Sequence, residues 1–183
     1  LLITAIVLLV TSLTINRYQD KVEELITIDK LTGLANRQGL DMLIRQAMLE
    51  AVRSRDPLCA LFIVAEDYPA IARQHGPVVS DLMLQGLAAT LRDTLRASDI
   101  VSRWGRNEFI VLLKNVTQEN AAKVADKLRQ AVAAARYGPS RVRVRASINV
   151  GVGQFRGGDT PEDFVMRAEQ AGRAAPAVAP ASA

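Results

Sequence analysis

"RWGRNEFIVLL", Arg103 to Leu113, sets a glycine, a cation and two polar residues (Gly105, Arg106, Asn107 and Glu108) between apolar stretches. A glycine in a short polar interval flanked by β-prone residues marks a tight turn between antiparallel strands. The stretch therefore predicts a hairpin with arms Ile100–Arg103 and Phe109–Leu113. Arg106 is the anomaly: a second glycine would fit a tight turn at lower steric cost, so the long cation there asks what the turn is for.

Outward from the hairpin, both chain directions show periodic elements. Val79, Leu82, Leu84, Leu87 and Leu91 predict a helix over Val78–Leu95, and "PLCALFIVAED", Pro57–Asp67, reads as a buried strand bounded by proline and acids. Leu40–Ser54 is amphipathic, Glu119–Ala135 predicts a helix, and "RVRVRASINVGVG", Arg141–Gly153, alternates as a strand. Pro161–Ala171 is a short last helix, and the tail 175–183 is of low complexity, which predicts disorder. Strands and helices intermixed around a hairpin predict an α+β fold, a sheet covered by helices.

The chain has 183 residues, enough for one domain with a substantial core plus an appendage, and a net charge of +4. Its only histidine and cysteine are His75 and Cys59, which excludes a disulfide framework and a zinc site of several thiolates. The basic excess fits anionic ligands or membrane surfaces without selecting one, and no element points to nucleic acid. Residues 1–16, "LLITAIVLLVTSLTIN", carry no charge and are followed by Arg17 and Lys21. The run is shorter than the ~20 residues of a full span, so it reads as the C-terminal part of a transmembrane helix, with a buried core helix as the alternative. The following cations place the rest on the cytoplasmic side. Ile15, Tyr18, Val22, Leu25 and Ile28 then repeat at helical steps, predicting a stalk over 17–28 that pairs as a short coiled coil.

Three stretches, in this order, resemble the GGDEF family of diguanylate cyclase domains: "DKLTGLANR" (Asp29–Arg37), "RASDIVSRWGRNEF" (Arg96–Phe109) and "RASINVGVG" (Arg145–Gly153). The resemblance covers a domain over 29–174. It implies a mainly antiparallel five-stranded sheet flanked by helices, related to the nucleotide cyclase and polymerase palm. It also implies joining of two GTP molecules across a homodimer, with Mg2+ held by carboxylates. Phosphoryl transfer relies on such positioning and charge neutralisation.

Residue by residue, the likeness departs where that chemistry resides. The metal-binding aspartate of the family falls on Val64, the acidic third signature residue on Asn107, and the second signature glycine on Arg106. The guanine-recognising asparagine falls on Ala72 and a late lysine on Pro176, whereas Asp81 matches a guanine-contacting aspartate. Gly105, Glu108 and Phe109 complete the altered signature; Glu66 shares a strand face with Val64 by the two-residue period and is the candidate substitute ligand. The expectation is a degenerate signature without cyclase activity, needing no cofactor.

Arg96 and Asp99 form RxxD at the spacing of the family's inhibitory site, where cyclic di-GMP binds, and Lys127 falls where another basic contact is often supplied. Arginine offers a planar fork to phosphate or guanine, and aspartate accepts from guanine N–H groups. The plain alternative is a surface ion pair between Arg96 and Asp99 worth ~0–1 kcal/mol. The leading reading is a cyclic di-GMP receptor in the cytoplasmic membrane that signals through its stalk or to a downstream protein. A nucleotide-independent interaction module and an active cyclase using Glu66 and Glu108 are the alternatives. Arg141, Arg143 and Arg145 share one face and suit phosphates, lipid or a solvated edge strand; Trp104 suits a small core or a base platform, and Cys59 suits packing.

Overall fold

The structure, a computed structural model, describes residues 27–174; the apolar run 1–16, nearly all of the stalk, Pro176 and the tail lie outside the described residues. Helix α1 (Arg37–Ser54) leads to strand β1 (Leu58–Ala65), helix α2 (Tyr68–Thr94), the hairpin β2 (Ile100–Arg103) and β3 (Glu108–Lys114), helix α3 (Gln118–Ala134), strand β4 (Ile148–Gln154) and helix α4 (Pro161–Ala174). The sheet runs β2-β3-β1-β4 with every neighbouring pair antiparallel.

Strand β1 decides the layering. Its side chains alternate between faces: Cys59, Leu61, Ile63 and Ala65 join the core under α2 and α3 with Met83, Leu87 and Leu128, while Leu58, Ala60 and Phe62 join a second core under α1 and α4 with Leu40, Ile44 and Phe164. A strand covered on both sides needs a continuous apolar run, which "LCALFIVA" supplies. Helix α1 starts at Arg37, ahead of its first buried stripe, because the Asn36 side chain accepts the Gly39 N–H at 2.9 Å and caps it. Thr117 caps α3 in the same way.

Three features depart most from what the sequence predicts. The helix expected at Val78 begins at Tyr68, since Tyr68 and Ile71 are buried and give its first turns a core face. Gly76 breaks it at φ 80°, a left-handed value that favours glycine, just before Pro77, which cannot supply a helical N–H. His75 therefore ends the helical segment before the kink, and Leu82 stays 37% exposed. Ile28, assigned to the stalk by its spacing, pairs with Ala35 in an isolated bridge, so the helical repeat has ended before it.

The third difference is the number of sheet strands among the described residues, four where five are expected. Residues 141–147 are not a sheet strand; Val144 pairs only with Tyr137, through reciprocal N–H to O bonds of 2.9 Å. The alternation that predicts a strand is satisfied otherwise: Val144 and Ala146 are buried in the core beneath α2 and α3. Tyr137 anchors this segment above Gly86, where a Cβ would lie 2.7 Å from its ring. On the opposite face α4 meets β4 backbone to backbone. A Cβ on Gly151 would collide with the Ala168 carbonyl and the Gly172 nitrogen.

Candidate functional site

The hairpin tip is held by its own backbone and by neighbouring side chains. The N–H groups of Trp104 and Gly105 both donate to the Glu108 carbonyl, at 2.9 and 3.2 Å. The Glu108 carboxylate folds over Gly105 so closely that a Cβ there would strike it. Beneath the turn, the Arg103 guanidinium donates to the Gly105 carbonyl at 3.2 Å, to the Arg106 carbonyl at 2.8 Å and to both carboxylate oxygens of Asp29 at 3.2 Å. One side chain thus fixes the tip and fastens it to "DKLTGLANR". Burial alone would raise the Asp29 carboxyl, but bonds from the Thr32 hydroxyl and N–H and from Arg103 outweigh it and hold the group below its usual range.

The two unexpected residues of the turn have partners inside the protein. Arg106 Nε donates to the Tyr68 hydroxyl at 3.3 Å, and its guanidinium lies 5.5 Å from the Tyr68 ring centre, a cation–π distance. Asn107 Nδ2 donates to the Ala65 carbonyl at 2.9 Å, and the Asn107 carbonyl accepts the Ala65 N–H at 2.9 Å. Val64 lies opposite Glu108 on β3 and Asn149 on β4. β1 ends at Ala65, so Glu66 lies beyond it, exposed, with its backbone N–H on the Ser147 carbonyl. Asp67 is engaged by the Ser147 N–H and hydroxyl, both at 2.6 Å.

This donor set does not fit the hard divalent cation that the resemblance implies. The Val64 side chain offers no oxygen, the Asn107 amide turns its N–H toward Ala65, and Glu108 is the carboxylate left in the turn. Among the described residues no group of three or more His, Cys, Asp or Glu side chains is placed to hold a metal ion. Asp81 is half-buried on α2, past the Gly76 kink, and Ala72 precedes the kink without a polar side chain.

The RxxD stretch lies at the other end of β2, four residues from the tip. Its side chains do not form the surface ion pair. Asp99 Oδ2 instead accepts the Arg96 backbone N–H at 3.0 Å, and the Asp99 N–H returns to the Arg96 carbonyl at 3.0 Å, closing a turn. The Arg96 side chain is left exposed, and Asp99 Oδ1 is buried without a hydrogen-bond partner. Lys127, from α3, reaches the Thr94 carbonyl at 3.4 Å and so stands beside this turn. Arg96, Asp99 and Lys127 are thus brought together, whereas Asp81 lies within α2, thirteen residues before its last residue Thr94.

Two partners at the tip carry no sequence signal of their own. Tyr68 falls in the interval between the expected strand and helix. Arg37, the last residue of the quoted opening motif, lies with its guanidinium 4.2 Å from the Trp104 ring centre. Trp104 packs on the second core as well as carrying this cation, and it borders a cleft of about 470 Å³ between α1 and α4, walled by Leu40, Ile44, Val165 and Met166. Cys59 is packing, its thiol directed at the Val116 carbonyl at 3.2 Å.

The family described as "Diguanylate cyclase, GGDEF domain" matches residues 26–177. The bifunctional diguanylate cyclase/cyclic di-GMP phosphodiesterase MucR of Pseudomonas aeruginosa is 32% identical over 144 residues, 78% of this chain and 21% of that protein. The chain spans between 21% and 33% of the length of the curated relatives it first matches. Among solved structures, the GGDEF domain of TpbB (YfiN) from Pseudomonas aeruginosa superposes with a TM-score of 0.75 at 30% identity, over 80% of this chain and 86% of that one. The GGDEF domain of DgcB from Caulobacter crescentus, solved in complex with c-di-GMP, shares the fold at a TM-score of 0.76 and 19% identity, over 81% of this chain and 86% of that one.

Proposed function

The chain belongs to the GGDEF diguanylate cyclase domain family, and from that premise we propose that it binds cyclic di-GMP at Arg96, Asp99 and Lys127 and makes none. The observation that carries this is the contrast between its two turns. At the RxxD turn, Asp99 Oδ1 is buried without a partner and the Arg96 guanidinium is exposed in no ion pair among the described residues. An unpaired buried acceptor costs ~1–3 kcal/mol, which a guanine N–H donor would recover. At the tip, Arg103, Arg106 and Asn107 are bonded to the protein itself. A GTP-joining site needs open backbone at 106 and carboxylate oxygens at 64 and 107 to hold metal, and Arg106, Val64 and Asn107 supply neither.

The domain is anchored through the apolar run 1–16, faces the cytoplasm at the inner membrane, and forms a homodimer through the stalk. Cyclic di-GMP shifts the arrangement of the two domains, and the stalk or a downstream protein receives the change; this requires that the ligand bind one arrangement more tightly.

Calorimetric titration of cyclic di-GMP into the detergent-solubilised full chain, beside Arg96→Ala, tests the binding. Micromolar or tighter affinity lost in the folded variant supports the receptor. Absence of heat in both proteins overturns it and favours the interaction module, with the cleft beside Trp104 as its surface. Magnesium-dependent turnover of GTP by the wild type overturns the catalytic part.

A further inference from the structure

The row Arg141, Arg143 and Arg145 belongs neither to the hairpin tip nor to the RxxD turn, and the fold removes its ordinary explanation. Exposed arginines protect a sheet edge from pairing with another chain, but residues 141–147 form no strand of the sheet. Their alternation serves another end. Val144 and Ala146 are buried and Val142 is half-buried, whereas Arg141, Arg143 and Arg145 are all exposed. The three cations therefore project from one side of an extended segment whose other side is fixed to the core.

No ion pair among the described residues includes any of the three. Among the described residues Arg141 and Arg145 have no hydrogen-bond partner, and Arg143 reaches only the Arg136 carbonyl, at 3.4 Å. Arg136 is itself exposed and turned to the carbonyls of Ala133 and Ala135 at the end of α3. A row of unpaired guanidinium groups on an anchored backbone suits phosphodiesters, which match the planar fork of arginine.

The position of the row selects the source of the phosphate. Ser147, two residues after Arg145, is bonded to Glu66 and Asp67 just past the C-terminal end of β1. The same end holds Asn107 on Ala65 and, through Arg103, Asp29. The row therefore closes at the end of the sheet where Asp29 is held, twelve residues (17–28) after the uncharged run ends. The row also has no exposed aromatic residue interleaved to stack on bases.

We propose that Arg141, Arg143 and Arg145 form a docking strip for the headgroups of anionic lipids, laying the domain against the membrane that its upstream run enters. This rests on the anchoring stated above. Each arginine near an anionic leaflet is worth about fivefold in the docked population, so the three together are worth about a hundredfold.

The test uses the full chain in liposomes, with a fluorophore on Ser140→Cys and a nitroxide-headgroup lipid as quencher; buried Cys59 does not compete for the label. Quenching is expected in vesicles containing phosphatidylglycerol and not in phosphatidylcholine alone. It should be relieved by high salt and lost in the triple variant R141Q/R143Q/R145Q, whose fold is verified by far-UV circular dichroism. Equal quenching in both lipids, or quenching that survives in the triple variant, overturns the strip. Flotation on phosphatidylcholine vesicles after an alkaline wash reads the anchor separately. A chain that floats there but is never quenched overturns the strip and leaves the anchor standing. A chain that floats only on anionic vesicles at low salt, and only with its three arginines, sustains the strip and overturns the anchor.

Discussion

Asn107→Asp is the substitution that discriminates most sharply between a tip built for itself and a tip built for metal. The Asn107 Nδ2 group donates to the Ala65 carbonyl at 2.9 Å, and Ala65 is fully buried. Replacing the amide with a carboxylate removes a hydrogen bond worth ~1 kcal/mol net and sets an anionic oxygen against the Ala65 carbonyl, for about 2–3 kcal/mol in all. For a domain of this size that corresponds to a fall in melting temperature of roughly 5–10 °C. Thermal unfolding in EDTA, followed by far-UV circular dichroism, measures it. The fluorescence of Trp104, the only tryptophan, reports on the tip in the same samples.

Magnesium then separates the causes. Asn107→Asp alone should gain little from the ion, because Val64, across from Glu108, still offers no carboxylate. Val64→Asp with Asn107→Asp supplies carboxylates at 64, 107 and 108, and magnesium at a hundredfold excess over its Kd would return ~2.7 kcal/mol. An Asn107→Asp protein within about 0.5 kcal/mol of wild type refutes the structural role of the amide, since losing a part-buried hydrogen bond and setting a carboxylate against the carbonyl cannot be without cost. Stabilisation of the wild type by magnesium of more than about 1 kcal/mol refutes the reading that its donor set does not fit the ion.

Asp29→Asn should destabilise the chain by about 1–3 kcal/mol at neutral pH, as expected for a charge-assisted contact. Because the folded Asp29 carboxyl lies below its ordinary value, its contribution is present above the unfolded pKa and is lost as pH falls through the folded one. The acid limb of a melting curve should therefore flatten below about pH 4 in the variant; an unchanged limb removes the tie to Arg103 as its source. Gly151→Ala forces a methyl into the Ala168 carbonyl and the Gly172 nitrogen, both backbone, so loss of the folded state or a penalty of at least ~3 kcal/mol is expected in chemical unfolding. Burial pushes the Cys59 thiol up to about 11, so its reaction with a disulfide reagent at pH 8 should be slow in the native chain and fast in urea. Fast native reaction would mean that β1 opens.

Legibility in this sequence follows the range of the interaction that decides each element. The hairpin and α3 are written locally: the arms Ile100–Arg103 and Phe109–Leu113 fall within one residue of the strands, and Glu119–Ala135 within one of the helix. The first arm of α2 is decided by burial of Tyr68 and Ile71 against distant elements, a fact of packing that spacing alone does not carry. Arg141–Arg145 shows the converse. The alternation is real, yet it is satisfied by packing on the core, and no local rule distinguishes that from a strand partner. At the site, the identities of Val64, Arg106 and Asn107 are sequence facts, but their partners are not. Tyr68 and Ala65 are 38 and 42 residues away from Arg106 and Asn107, and only the register of β1 on β3 brings them there.

That register explains why a long cation is tolerated in the turn. β1 ends beside the tip, so the residues following it, Ala65 to Tyr68, are presented to whatever the hairpin carries. Two glycines would leave this space for a ligand. Arg106 and Asn107 use it instead, one against the Tyr68 ring and hydroxyl, the other on the Ala65 carbonyl, while Arg103 holds the turn from below. Polar groups with satisfied partners gain little from a ligand, because binding must first break what they have. Asp99 Oδ1, buried and unpartnered beside an exposed arginine, has nothing to break. The two ends of β2 therefore differ in what a nucleotide could gain from them, and the difference favours the RxxD turn.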